Sequence, residues 1–249
     1  MAMLSVSNLT KKFEDLTVME GFDLTVPRGS FTTLIGPSGC GKSTFFDILT
    51  GVFPKDGGRI SWLGEDVSDL MGSAAYMQQK DLLLPWLSLL DNALLPAKIA
   101  GIDGNSSREK VSALFSRLGL NGFETYIPQK VSGGMRQRCA LVRTLMFEHE
   151  LVLLDEPLSS LDAITRRGLQ ALLRLLQSEF NKTILMITHD IEEALLLSDE
   201  LIVLTPMPMR IRERFVLEMP KTGRSSSPEL MKIKEHVLEE LEGDSNGTV

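Results

Sequence analysis

The stretch Gly36-Pro37-Ser38-Gly39-Cys40-Gly41-Lys42-Ser43-Thr44 fits the pattern G-x-x-x-x-G-K-[ST]. Glycines at this spacing let successive backbone N–H groups converge on a polyphosphate without obstruction by Cβ atoms. A helix beginning at the end of such a loop adds partial positive charge. Lys42 is then the side chain that reaches the β and γ phosphates, and the Ser43 hydroxyl is a ligand for Mg²⁺. A second chemical segment, Leu151-Val152-Leu153-Leu154-Asp155-Glu156, is an apolar run that ends in two carboxylates. It resembles a Walker B strand, with Asp155 on the metal side and Glu156 able to polarise a water attacking the γ-phosphate.

Phosphate binding does not by itself choose between a kinase, a GTPase and an ATPase. The choice comes from Val131-Ser132-Gly133-Gly134-Met135-Arg136-Gln137-Arg138. A hydroxyl and two glycine amides at a helix start form a second anion cradle. In this segment the chain resembles the ATP-binding cassette (ABC) ATPases, whose signature is written LSGGQ; Val131 and Met135 depart from it.

The resemblance extends over residues 4–219 and implies further roles. Gln79 corresponds to the Q-loop glutamine that contacts Mg²⁺ and water, with Gln78 beside it leaving the register open. Ser160-Leu161-Asp162 corresponds to the D-loop, and His189 to the switch histidine at the γ-phosphate. Phe13 fits either the aromatic that stacks on adenine or a core side chain. The family implies a head-to-tail dimer in which each ATP lies between the P-loop of one copy and Ser132, Gly133 and Gly134 of the other. Leu82-Leu83-Leu84-Pro85-Trp86 is similar to the same segment of bacterial importer ATPases for nitrate, sulfonate, taurine and thiamine precursors. That cluster reads either as a groove for a permease helix or as core of the helical region. The importer reading implies a separate integral membrane permease, a substrate-binding protein acting through it, and a peripheral place on the cytoplasmic face of the inner membrane. Two other classes stand beside it: an ABC ATPase that remodels nucleic acid or ribosomes, and a P-loop small-molecule kinase. The Ser132–Gly134 segment and His189 argue against the kinase.

Composition narrows the field. The 249 residues carry 26 Lys and Arg against 33 Asp and Glu, a net charge of −7, which disfavours a protein that grips nucleic acid over a basic face. Cys40 and Cys139 are too few for a disulfide framework, so a reducing compartment is expected. The first residues lack the basic-then-apolar pattern of a signal peptide. A membrane span needs about 20 apolar residues in a row, whereas the greasiest stretch is broken by Pro85, Asp91, Asn92 and Pro96.

The elements that must position these groups follow from periodicity. Short apolar runs at 4–6, 22–26, 31–35, 59–62 and 74–78 read as strands, and 82–148 as helical. Within the helical stretch Ser106 and Glu109 read as a capping box ahead of Val111, Leu114, Phe115 and Leu118. Strands at 151–154, 183–187 and 200–205 alternate with helices at 163–180 and 191–197. The fold class expected is α/β: a RecA-like P-loop NTPase core with an N-terminal antiparallel β subdomain and an inserted α-helical subdomain at about 82–148. The ATPase domain is expected to span 1–220. Residues 221–249 read as a short tail with a docking helix that starts at Ser227-Pro228 and frays from Glu242, too short for the regulatory domain of sugar importers.

Overall fold

In a computed structural model of the chain, which describes residues 2–102, 104–159 and 161–246, three strands are buried along their whole length. They are Phe31–Ile35, Leu151–Asp155 and Thr183–Ile187. Alternate side chains of these strands enter different apolar clusters. Val152, Leu154, Ile184 and Met186 join one, while Leu151, Leu153, Leu185 and Ile187 join the other. Both faces of the sheet are covered, which is why the runs read as continuously apolar.

In chain order the elements are β1 (Ala2–Phe13), β2 (Leu16–Pro27), β3 (Phe31–Ile35), α1 (Lys42–Leu49), β4 (Gly57–Trp62), β5 (Glu65–Val67) and β6 (Ala74–Met77). Next come α2 (Leu89–Ile99), α3 (Asn105–Arg117), α4 (Gly133–Leu145), β7 (Leu151–Asp155), α5 (Ala163–Ser178) and β8 (Thr183–Ile187). The chain closes with α6 (Ile191–Leu197), β9 (Glu200–Leu204), β10 (Ile211–Val216) and α7 (Pro228–Asn246). One sheet is antiparallel in the order β2-β1-β4-β5. The other runs β10-β9-β3-β8-β7-β6, parallel from β9 to β6 with β10 antiparallel at its edge. Helices α2 to α4 occupy the chain between the neighbouring strands β6 and β7. Their Leu89, Val111, Phe115 and Leu141 share one core with Leu154 and Met186. This is the α/β, RecA-like architecture with an antiparallel β portion and a helical insertion.

Local details depart from the sequence reading. Ser106 does not cap α3; Gly104 is the N-cap and makes no side-chain bond, while the Ser107 hydroxyl donates to the Ile102 carbonyl. The serine-to-glutamate spacing therefore lies inside the first turn instead of across its boundary. Helix does not begin at Leu82 either. The Asn92 side chain accepts from the Leu84 amide at 2.7 Å and donates to the Leu84, Leu87 and Ser88 carbonyls, which folds 84–88 back as a loop before α2. α7 does begin at Pro228 with Ser227 accepting from the Leu230 amide, but it continues past Glu242 to Asn246. β5 and β10 were absent from the periodicity because each is a short, half-exposed edge strand.

Candidate active site

Four neighbouring parallel strands, β3, β8, β7 and β6, end on the same side of the sheet. The residues that follow them are, in that order, Gly36, Thr188 with His189, Glu156 after Asp155, and Gln79. Side chains far apart in sequence are thereby gathered at the carboxyl ends of strands, where open α/β sheets bind ligands. A cavity of about 480 Å³ lies there, lined by Lys42, Ser43, Gln79, Asp155, Glu156 and His189 among others.

The phosphate loop needs glycine at two places for different reasons. A Cβ at Gly36 would stand 2.9 Å from the Leu204 Cβ, so the loop could not sit against β9. Gly41, the N-cap of α1, has φ of 114°, and a Cβ there would meet Val18 at 2.6 Å. Lys42 is buried and turned back on its own loop, donating to the Gly36 and Pro37 carbonyls at 2.8 Å each. Cys40 is also buried, with its sulfur 3.6 Å from Lys42 Nζ, so it serves the loop through its backbone and its packing.

Asp155, at the end of β7, is only 2% exposed. Burial pushes its carboxyl up to about 6, the Ser43 hydroxyl bonded to it pulls the other way, and the neighbouring Glu156 and Asp47 add to the rise. A buried carboxylate beside a hydroxyl and an amide is an all-oxygen donor set that suits Mg²⁺. Among the described residues no group of three or more His, Cys, Asp or Glu could hold a metal ion.

Glu156 turns the corner after β7 with φ of 49°, a left-handed conformation that costs a non-glycine residue about 1–2 kcal/mol. The turn directs its carboxylate to the cavity mouth. Gln79 Nε2 donates to Glu156 Oε2 at 3.2 Å, and His189 Nδ1 lies 3.3 Å from the same oxygen. Gln79, not Gln78, is therefore the glutamine at the site.

Phe13 also lines the cavity, half-buried, edge-on to Phe53 and under the Lys11 ammonium at 4.9 Å. Leu16, Val18 and Met207 also line the cavity, although nothing in the sequence pattern marks them. Ser132, Gly133 and Gly134 do not line this cavity. Ser132 caps α4 by accepting from the Met135 amide, leaving Ser132 and both glycines at an exposed or half-exposed helix start. Asp162 is exposed and caps the start of α5 through Thr165, at 3.0 Å from its amide and 2.7 Å from its hydroxyl. Ser160 lies outside the described residues.

Residues 19–159 match the ABC transporter family. The chain belongs to that family. This ABC ATPase binds ATP, and it is 36% identical over 244 residues to the taurine import ATP-binding protein of Escherichia coli O157:H7, covering 95% of this chain and 96% of that one. It is also 36% identical over 246 residues, 97% of this chain and 92% of the relative, to an uncharacterized ABC transporter ATP-binding protein of Methanocaldococcus jannaschii. Among solved structures it resembles a bacterial ABC transporter cassette in dimeric form, with a TM-score of 0.81 at 25% identity over 88% of this chain and all of that one. A dimeric post-hydrolysis state of the same cassette, bound to ADP and phosphate, has a TM-score of 0.79 at 25% identity, over 88% of this chain and all of that one.

Proposed function

We propose that this ABC ATPase is the ATP-hydrolysing subunit of an importer, working as one of two copies beneath a separate membrane permease. The observation that carries the reading is the Glu156 carboxylate, held between Gln79 and His189 at the mouth of the phosphate-loop cavity. In that position it takes a proton from the attacking water, while Gln79 and His189 orient the carboxylate and the water. Lys42 exchanges its loop carbonyls for phosphate oxygens, and the loop amides and the start of α1 hold the rest of the charge. Ser43, Asp155 and Gln79 would hold Mg²⁺, which when bound neutralises charge on the phosphates. Phe13, with Leu16 and Val18, forms the apolar wall for the adenine.

Ser132, Gly133 and Gly134 stand outside the chain's own cavity and are free to meet the ATP of a second copy, with Asp162 beside that junction. The likeness to dimeric cassettes supports this arrangement. Import is supported by the likeness to taurine import proteins, and a substrate-binding protein would deliver cargo to the permease. Leu83 is buried, but Leu82 and Trp86 are exposed in the loop after Gln79. They form the apolar surface offered to a permease helix. Among the described residues no helix is long and apolar enough to cross a membrane. As the ATP-hydrolysing partner of a membrane permease, the chain works peripherally, on the cytoplasmic face where ATP is found.

The test is uptake in cells expressing the chain with its permease. Glu156→Gln should leave the complex assembled and abolish accumulation of cargo. Uptake that persists at the parental rate would overturn the assignment.

A further inference from the structure

The backbone of Glu156 is held from an unexpected direction. Its amide donates to the Ile187 carbonyl at 2.9 Å, which ties it to β8. Its carbonyl accepts from Gln137 Nε2 at 2.9 Å, from the Ser159 hydroxyl at 3.1 Å and from the Ser159 amide at 3.4 Å. Gln137 belongs to α4 in the helical insertion and is 6% exposed. Glu156 belongs to the sheet. A buried amide from another part of the fold thus reaches a carboxylate-bearing residue that lines the cavity and sits in a left-handed conformation. Such a conformation persists only where its surroundings over-determine it.

We propose that Gln137 is a positioning residue for hydrolysis: it holds the Glu156 turn, and so aims the carboxylate, from the helix that Ser132 caps. The inference rests on Glu156 being the hydrolytic base, as proposed above. Its consequence is directional. Ser132 and Gln137 share α4, so engagement of Ser132, Gly133 and Gly134 by a second copy's ATP bears on Glu156 of the same chain. Arg136 and Arg143 extend the linkage to the loop after Gln79. Arg136 Nε lies 3.0 Å from Asp81, and Arg143 donates to the Asp81 and Leu82 carbonyls at 2.8 and 2.9 Å. One helix therefore joins the outward anion cradle, the exposed apolar loop and the backbone of the base.

Gln137→Met keeps the length and volume of the side chain and removes the donor. In the full-length chain it should lower kcat by about tenfold or more while the KM for ATP stays within about twofold, the signature of a lost transition-state contribution. Combined with Glu156→Gln, it should form the ATP-bound dimer as tightly as Glu156→Gln alone. Unchanged kcat would overturn the proposal. Loss of ATP-driven dimerisation together with kcat would also overturn it, by making Gln137 a support for the anion cradle instead. If Gln137→Met does not fold, Ser159→Ala decides, since this exposed hydroxyl donates to the same carbonyl: a smaller fall in kcat at constant KM supports the proposal and no fall overturns it. A Glu156→Gln chain that still hydrolyses ATP would mark failure of the underlying reading, separately from that of Gln137.

Discussion

Lys42 Nζ lies 2.8 Å from the carbonyl oxygen of Gly36, the first residue of its own phosphate loop. The buried ammonium is satisfied by backbone oxygens of Gly36 and Pro37, so the loop carries its own counter-dipoles before a triphosphate arrives. Lys42→Ala should remove a charge-assisted contact worth about 1.5–3 kcal/mol and weaken ATP binding by about ten- to a hundredfold. Nucleotide titration measures this directly, and parental affinity in the variant would contradict the role.

Asp155 ties the site to pH. Its carboxyl is raised from 3.8 to about 6, chiefly by burial. The folded chain thus binds this proton more tightly than the unfolded chain does. The resulting stability is fully present below about pH 3.8 and lost as the pH rises through about 6. A shift of about two units corresponds to about 3 kcal/mol as an upper figure. Asp155→Asn, which carries no charge, should be about 1–3 kcal/mol more stable than the parent at pH 8 and nearly equal to it at about pH 3. Urea unfolding at the two pH values tests this; an equal gap at both would contradict it.

The sequence made the site legible where chemistry and local pattern coincide. The phosphate loop, Asp155, Glu156 and His189 each follow an apolar strand, and a strand-end position can be read without knowing which strands are neighbours. Gln79 was legible through the family resemblance, and its bond to Glu156 removes the ambiguity with Gln78. Some of the cavity's apolar lining was not legible. Leu16 pairs with Phe13 across the β1–β2 turn, but this antiparallel sheet must pack on the other sheet, and the turn after β9 must bring in Met207, before they line one cavity with the phosphate loop. Gln137 was hidden for the same reason, because nothing local marks a glutamine whose partner is a backbone carbonyl on another element. The failed capping box at Ser106 shows the opposite error: a correct local pattern, displaced by the position of Gly104.

Arg224 anchors the tail. It is 3% exposed and donates to the carbonyls of Leu195, Ser198, Leu217 and Met219 at 2.6–3.0 Å, joining the end of α6 to the segment before α7. Arg224→Ala would leave several carbonyls without that donor and should cost about 2–4 kcal/mol. Chemical denaturation gives the magnitude, and faster proteolysis between Leu217 and Ser227 would locate the loosening. A change below about 0.5 kcal/mol, the range of ordinary surface substitutions, would contradict the anchor.

Trp86 is 72% exposed, so Trp86→Ala should change the stability of the isolated chain by no more than about 0.5 kcal/mol. Affinity for ATP should be unchanged, because Trp86 does not line the nucleotide cavity. Binding to the permease should fall by about tenfold or more, as expected when an aromatic anchor is lost from an interface. Co-purification with the permease measures it, and full retention would remove Trp86 from the docking surface.

The role of Glu156 is tested most directly by single-turnover release of phosphate from the purified chain at saturating ATP and Mg²⁺. Glu156→Gln keeps the side-chain shape and can still bond to Gln79 and His189, but it cannot take a proton from water. The variant should bind ATP as the parent does and release phosphate about a hundredfold or more slowly, in line with the loss of a general base. Phosphate release at the parental rate with ATP bound would contradict the account.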